Sequence, residues 1–191
     1  MEQYYIPQTT GEGDMPLLRQ LTRVSFYGVD PVEDPPMVQW CIGPPETHTT
    51  RMTDYLRGVP LKFSERIIDV LKSLDISTVQ YLPSEVLLKD KTIVKGYYTL
   101  KVLKQIDAIG NGKDHSQSEY YKFDQSILKA IPLKERLVFK QLHKSNSICF
   151  HESIVPAIMA LKPTGLRFLK AQHWSMDCLF DSKVHNYESQ W

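Results

Sequence analysis

Six of the chain's twelve prolines fall between positions 31 and 60, at Pro31, Pro35, Pro36, Pro44, Pro45 and Pro60. Each lacks a backbone donor and biases its predecessor toward extended backbone, so a long helix is excluded from this stretch. Short strands or loops are expected around 25–29, 38–42 and 59–63, joined by the acidic turn Asp30-Pro31-Val32-Glu33-Asp34.

Past the prolines the pattern changes to helical spacing. Ser64 offers an N-cap oxygen, Glu65 puts negative charge in the first turn, and Ile67, Val70, Leu71 and Leu74 form one apolar stripe. A second helix is expected after Ser153, with Ile154, Ala157, Ile158 and Leu161 on one face and Pro156 where no donor is needed. The two starts echo each other without gaps, residues 63–74 against 150–161, each beginning with Phe at the end of an apolar extended run. Such a junction folds a helix back onto the sheet that its own strand joins. At 87 residues the offset exceeds the period of any solenoid array.

Strands are expected at 79–82, at 97–103 with 106–109 extending or bulging it, and at 166–169. Residues 110–114, Gly-Asn-Gly-Lys-Asp, read as a surface loop. Residues 120–123 and 137–142 read as two strands of a hairpin-like segment, with a helical turn near 125–130. Together these predict an α+β fold: a mainly antiparallel sheet with two principal amphipathic helices packed on it. One domain is expected over 1–191, with 1–54 as its proline-rich N-terminal part.

Composition limits function more than it names it. At 191 residues and 42% hydrophobic the chain can bury a core without staples, and a net charge of +1 gives no field for nucleic acid or an anionic membrane. Three cysteines, Cys41, Cys149 and Cys178, form neither a disulfide framework nor a zinc ligand set. The first ten residues lack a basic cluster and an apolar run, so no secretion signal is expected and the cytoplasm is the default compartment.

The search for chemistry predicts no catalytic residue, no metal and no cofactor. His151-Glu152 is followed by Val155 where a zinc protease needs histidine. Cys149 and His151 share a strand face, as a thiolate and its base would, but Cys149 sits in an apolar run where cysteine acts as a small hydrophobe. Gly110 and Gly112 make no phosphate-binding loop. Lys101, Lys104, Lys113, Lys122, Lys129, Lys134, Lys140 and Lys144 alternate with carboxylates near Tyr97, Tyr98, Tyr120 and Tyr121, which reads as solvated surface rather than an RNA platform. His173, Trp174 and Trp191 read as cover for a core edge.

Four segments occur in a telling order. They are Leu61-Lys62-Phe63-Ser64-Glu65-Arg66-Ile67-Ile68-Asp69-Val70-Leu71, then the run from Tyr98 through Leu103 to Ile106-Asp107-Ala108-Ile109, then Phe150-His151-Glu152, then Thr164-Gly165-Leu166-Arg167-Phe168. Over residues 55–170 this order resembles the eleventh immunity-protein family of bacterial polymorphic toxin systems. The resemblance implies a protein that binds a cognate toxin, often a nuclease, and neutralises it by stoichiometric blocking. It transfers no catalytic residue. If that implication holds, the acidic turn residues Asp30, Glu33 and Asp34, with neighbouring Trp40, are the expected partner-binding residues, because carboxylates can fill a basic substrate groove. The alternatives are a cytoplasmic enzyme of unrecognised type and a binding or regulatory module unrelated to toxins.

Overall fold

The computed structural model describes residues 2–10, 17–43, 51–109, 122–142 and 147–174. They form eleven strands: β1 (Tyr4–Thr9), β2 (Leu18–Gln20), β3 (Val38–Ile42), β4 (Tyr55–Leu56), β5 (Lys62–Ser64), β6 (Val79–Leu87), β7 (Ile93–Val102), β8 (Gln105–Ile106), β9 (Val138–Gln141), β10 (Ile148–His151) and β11 (Leu166–Lys170). Four helices join them, α1 (Glu65–Ser73), α2 (Gln125–Lys129), α3 (Leu133–Arg136) and α4 (Val155–Met159).

The α+β class holds, but the strands divide between two sheets, not one. One runs β11-β1-β10-β9-β8 and the other β2-β3-β6-β7-β5-β4. Two pairings are parallel, β3 with β6 and β8 with β9; the remaining ones are antiparallel. The expected hairpin between 120–123 and 137–142 is not formed. Lys122 and Phe123 are not in a strand, Tyr120 and Tyr121 lie outside the described residues, and β9 pairs with β10 and β8 instead.

In the five-stranded sheet both faces are buried. Alternate residues of a strand point to opposite sides, and here Tyr5, Val138, Ile148 and Phe150 join the main core while Tyr4, Ile6, Phe139 and Cys149 join a second cluster under α2. Proline sits in a strand of each sheet where pairing is one-sided. Pro7 of β1 lies beyond the residues paired to β10 and faces β11 alone; Pro83 of β6 pairs with β7 just before the β3 ladder begins at Ser84. Both are edge-like positions, which tolerate a missing donor.

The main core lies where the two sheets and two helices meet. Ile67, Ile68 and Leu71 of α1 pack there with Val155 and Ile158 of α4. Helix α1 starts where expected, but Ser64 makes no side-chain cap. Its hydroxyl instead donates to Asp54 Oδ1 at 2.7 Å, while the Thr164 N–H and hydroxyl donate to Asp54 Oδ2 at 2.7 and 2.8 Å. One carboxylate thus joins the start of α1 to the turn after α4. Helix α4 departs from expectation. It has only five residues and begins at Val155 with Ile154 as N-cap, because Ser153 turns back toward His151. Of its expected stripe Ile158 is buried and Leu161 is half-buried.

Candidate functional site

Between β2 and β3 the chain crosses the face of the six-stranded sheet without regular structure, from residue 21 to residue 37. This strap carries the acidic turn. Asp30, Glu33 and Asp34 are exposed, and Gln80 of β6 fixes the turn from below by accepting from the Val32 N–H and donating to the Val32 carbonyl, both at 2.8 Å. Asp34 has φ of 43°, the left-handed conformation that Asp tolerates better than most residues.

Trp40 does not share that surface. Within β3 the residues Val38, Trp40 and Ile42 face the core and Gln39 faces solvent, so Trp40 is only 2% exposed. Its indole N–H donates to Thr99 Oγ1 at 3.0 Å, and the Thr99 hydroxyl lies 2.7 Å from Ser84 Oγ. The Phe26 ring stacks obliquely on it, centroids 6.0 Å apart. Trp40 therefore supports the strap from beneath, and the four expected partner residues separate into three on the surface and one in the core.

Behind Trp40 lies Lys62, 1% exposed, with its ammonium 4.2 Å from the indole centroid and donating to the Pro60 carbonyl at 2.8 Å. Burial pulls its pKa down to about 7.

Two further lysines hold the strap itself, and here the expectation of a solvated lysine surface is corrected. Lys101 of β7 is buried and Lys140 of β9 is half-buried. Lys101 Nζ donates to the Ser25 carbonyl at 3.0 Å and lies 3.5 Å from that of Tyr27; Lys140 Nζ donates to the Phe26 carbonyl at 2.9 Å and lies 3.4 Å from that of Gly28. Burial, and then the nearby Lys101 charge, lowers the pKa of Lys140. The alternation Tyr97, Thr99, Lys101 along one strand face was the available sign that something polar covers that face. Phe26 is turned inward by this clamp and Tyr27 outward, where it is 80% exposed. Lys104, by contrast, makes a surface pair with Glu135 at 2.6 Å, and Lys113 and Lys144 lie outside the described residues.

Cys149 and His151 share a face of β10 but do not pair. His151 Nδ1 accepts from the Ser153 N–H at 3.1 Å and lies 2.8 Å from the Ser153 hydroxyl, which assigns the ring proton to Nε2. Burial pushes the Cys149 thiol pKa far up and that of His151 down, so neither a thiolate nor an imidazolium is favoured.

One cluster of titratable groups does converge. Arg136 reaches Glu2 through Nη1 at 2.6 Å and Nη2 at 3.2 Å, the Tyr4 hydroxyl at 2.8 Å, and the Ile131 carbonyl at 2.9 Å. The guanidinium is spent on tying the N-terminal strand to α3. Among the described residues, no group of His, Cys, Asp and Glu is placed to hold a metal ion, and no helix is long and apolar enough to cross a membrane.

Compared with family models, residues 16–173 match the Immunity protein family (Imm11). That match spans most of the chain, and the chain belongs to this family. It also reaches further than the motifs at 55–170, taking in β2, the strap and β3. Comparison with curated proteins gives no match.

Proposed function

We propose that this protein protects the cell that makes it by binding a cognate toxin in the cytoplasm and blocking it one-to-one. Membership of the Imm11 family carries this reading. A nuclease is the toxin class that fits the exposed carboxylates Asp30, Glu33 and Asp34 best, since a basic substrate groove attracts them and their field speeds encounter. Trp40 contributes by bracing the strap through Phe26. No turnover, metal or cofactor enters this mechanism, because a blocker needs only an interface that outlasts the toxin's search for substrate. A specific interface of this kind buries about 1,200–2,000 Å² in total.

Co-expression with the toxin domain of a neighbouring gene, identified by its toxicity when expressed alone, is the test. The expected result is restored growth and co-purification of the two chains, with toxin activity falling linearly to zero at equimolar protein. Protection at a small fraction of one equivalent would mean an enzyme instead. Failure both to rescue and to co-purify would end the immunity reading.

A further inference from the structure

Tyr27 is the only Phe, Tyr or Trp among the described residues that is exposed. A lone exposed aromatic is ordinary; this one has company and stands on a backbone that is held in place. Val59 and Pro60, from the loop before β5, line one hollow with Tyr27, Phe26 and Lys140, and Val29 and Val59 are themselves exposed.

The holding is unusual. Lys101 and Lys140 belong to different sheets, yet both aim their ammonium groups at consecutive carbonyls of residues 25–28, and neither meets a carboxylate in the described residues. One buried and one half-buried lysine held side by side, with carbonyl dipoles as their partners, cost stability. What they achieve is position: the backbone of residues 25–28 is held, Phe26 faces Trp40, Tyr27 is directed outward, and Gly28 turns the chain at φ of 77°. A residue whose backbone is already held loses less entropy on binding, and Tyr leaves only its side-chain torsions to be ordered, which suits an interface hot spot.

The chain beyond the ring supplies the second argument. From Tyr27 to Met37 the strap carries Asp30, Glu33 and Asp34 and no cation. We infer that Tyr27 is the anchor of the docking surface, entering an apolar pocket on the toxin whose rim is basic and pairs with those three carboxylates. This rests on the proposed toxin-binding function. The hollow beside the ring, walled by Phe26, Val59 and Pro60 with Lys140 and Gln20 on its polar side, adjoins the clamp and the acidic flank, and the flank supplies the negative charge that a toxin's cationic substrate groove would meet.

The experiment uses the full chain and the purified toxin domain that the co-expression test identifies, inactivated in its catalytic residues, with binding followed by surface plasmon resonance. Tyr27→Ala should weaken Kd at least about 30-fold, mostly through faster dissociation, with the Tm unchanged. Tyr27→Phe should retain most of the affinity. Lys140→Met, which frees the carbonyls of Phe26 and Gly28 but keeps the ring, should also weaken binding. Reversing Asp30, Glu33 and Asp34 to Lys should slow association and flatten its salt dependence. If wild-type protein binds the toxin and Tyr27→Ala binds equally well, the anchor is refuted while the immunity function stands. If wild-type protein does not bind, both fall. A wild-type dimer that Tyr27→Ala dissociates would make the patch a self-interface and overturn the inference as well.

Discussion

Arg66 grips both oxygens of Asp54, Nε to Oδ1 at 2.6 Å and Nη2 to Oδ2 at 2.8 Å. The same Nη2 lies 3.2 and 3.4 Å from the carbonyls of Leu161 and Lys162, in the turn after α4. With Ser64 and Thr164 on the same carboxylate, Asp54 explains why a Ser-Glu-Arg helix start and a Thr-Gly turn 100 residues later belong to one sequence pattern. Burial opposes its ionisation, but the bonds from Arg66, Thr164 and Ser64 outweigh that and bring its pKa to about 2. The folded pKa lies below the ordinary 3.8, so the stabilisation is full above 3.8 and is lost as pH falls toward 2. Urea denaturation across pH 2–5 should show about 2 kcal/mol of acid-labile stability that Asp54→Asn lacks.

Lys62 costs the fold stability where Asp54 adds to it, although both lowered pKa values make stability rise with pH. A lysine that is 1% exposed, with one carbonyl acceptor and an indole face for company, is a cost to the fold. Lys62→Met keeps the length and apolar contact of the side chain and should stabilise the protein at pH 7 by about 1 kcal/mol or more. Between pH 7 and 10.5 the unfolded chain keeps a proton that the folded Lys62 releases, so wild-type stability should rise with pH relative to Lys62→Met. A wild-type minus variant difference that stays flat over that window would show that Lys62 is charged in the fold.

What the sequence disclosed follows from how local each signal is. β3 at Val38–Ile42 matches its expected span and α1 starts where Ser64 and the Ile67–Leu71 stripe place it, because both are written in consecutive residues. β1 escaped notice, since Tyr4, Tyr5 and Ile6 are all buried and leave no alternation, and since Pro7 argues against a strand that lies inside a sheet. Trp40 is expected to bind the partner with the acidic turn because it neighbours that turn in sequence, yet strand period turns it inward. Lys101, Lys140, Asp54 and Tyr27 were illegible as a set: each acts on residues distant in sequence, and pairing between different elements leaves no short-range pattern.

The burial of Cys149 is testable by alkylation. Its thiol is fully enclosed between Tyr4, Phe139 and the α2 cluster, and burial keeps it protonated, whereas Cys41 is half-buried. In native protein iodoacetamide should label Cys149 at least about 100-fold more slowly than in urea, as read by peptide mass spectrometry. Comparable native and denatured rates would mean that the β9–β10 face opens locally.

The final prediction concerns the echo between the two strand-to-helix junctions. Phe63 lies in β5 before α1 and Phe150 lies in β10 before α4, and their rings meet edge to face at 6.3 Å and 89°. The repeated Phe is therefore a contact between the two units across the sheet seam, with Phe168 of β11 behind Phe150 at 5.4 Å. Each ring is fully buried, so Phe63→Leu and Phe150→Leu should each destabilise the fold by about 1–3 kcal/mol, less than truncation to Ala. Because the rings touch, the two losses should not add: a double-mutant cycle by urea denaturation should return a coupling of about 0.5–1.5 kcal/mol. The same cycle between Phe63 and Phe139, which lies in the other cluster beneath the five-stranded sheet, should return a coupling near zero. Equal couplings for both pairs would mean that the sheets share one undivided core, and that the echo marks no special contact.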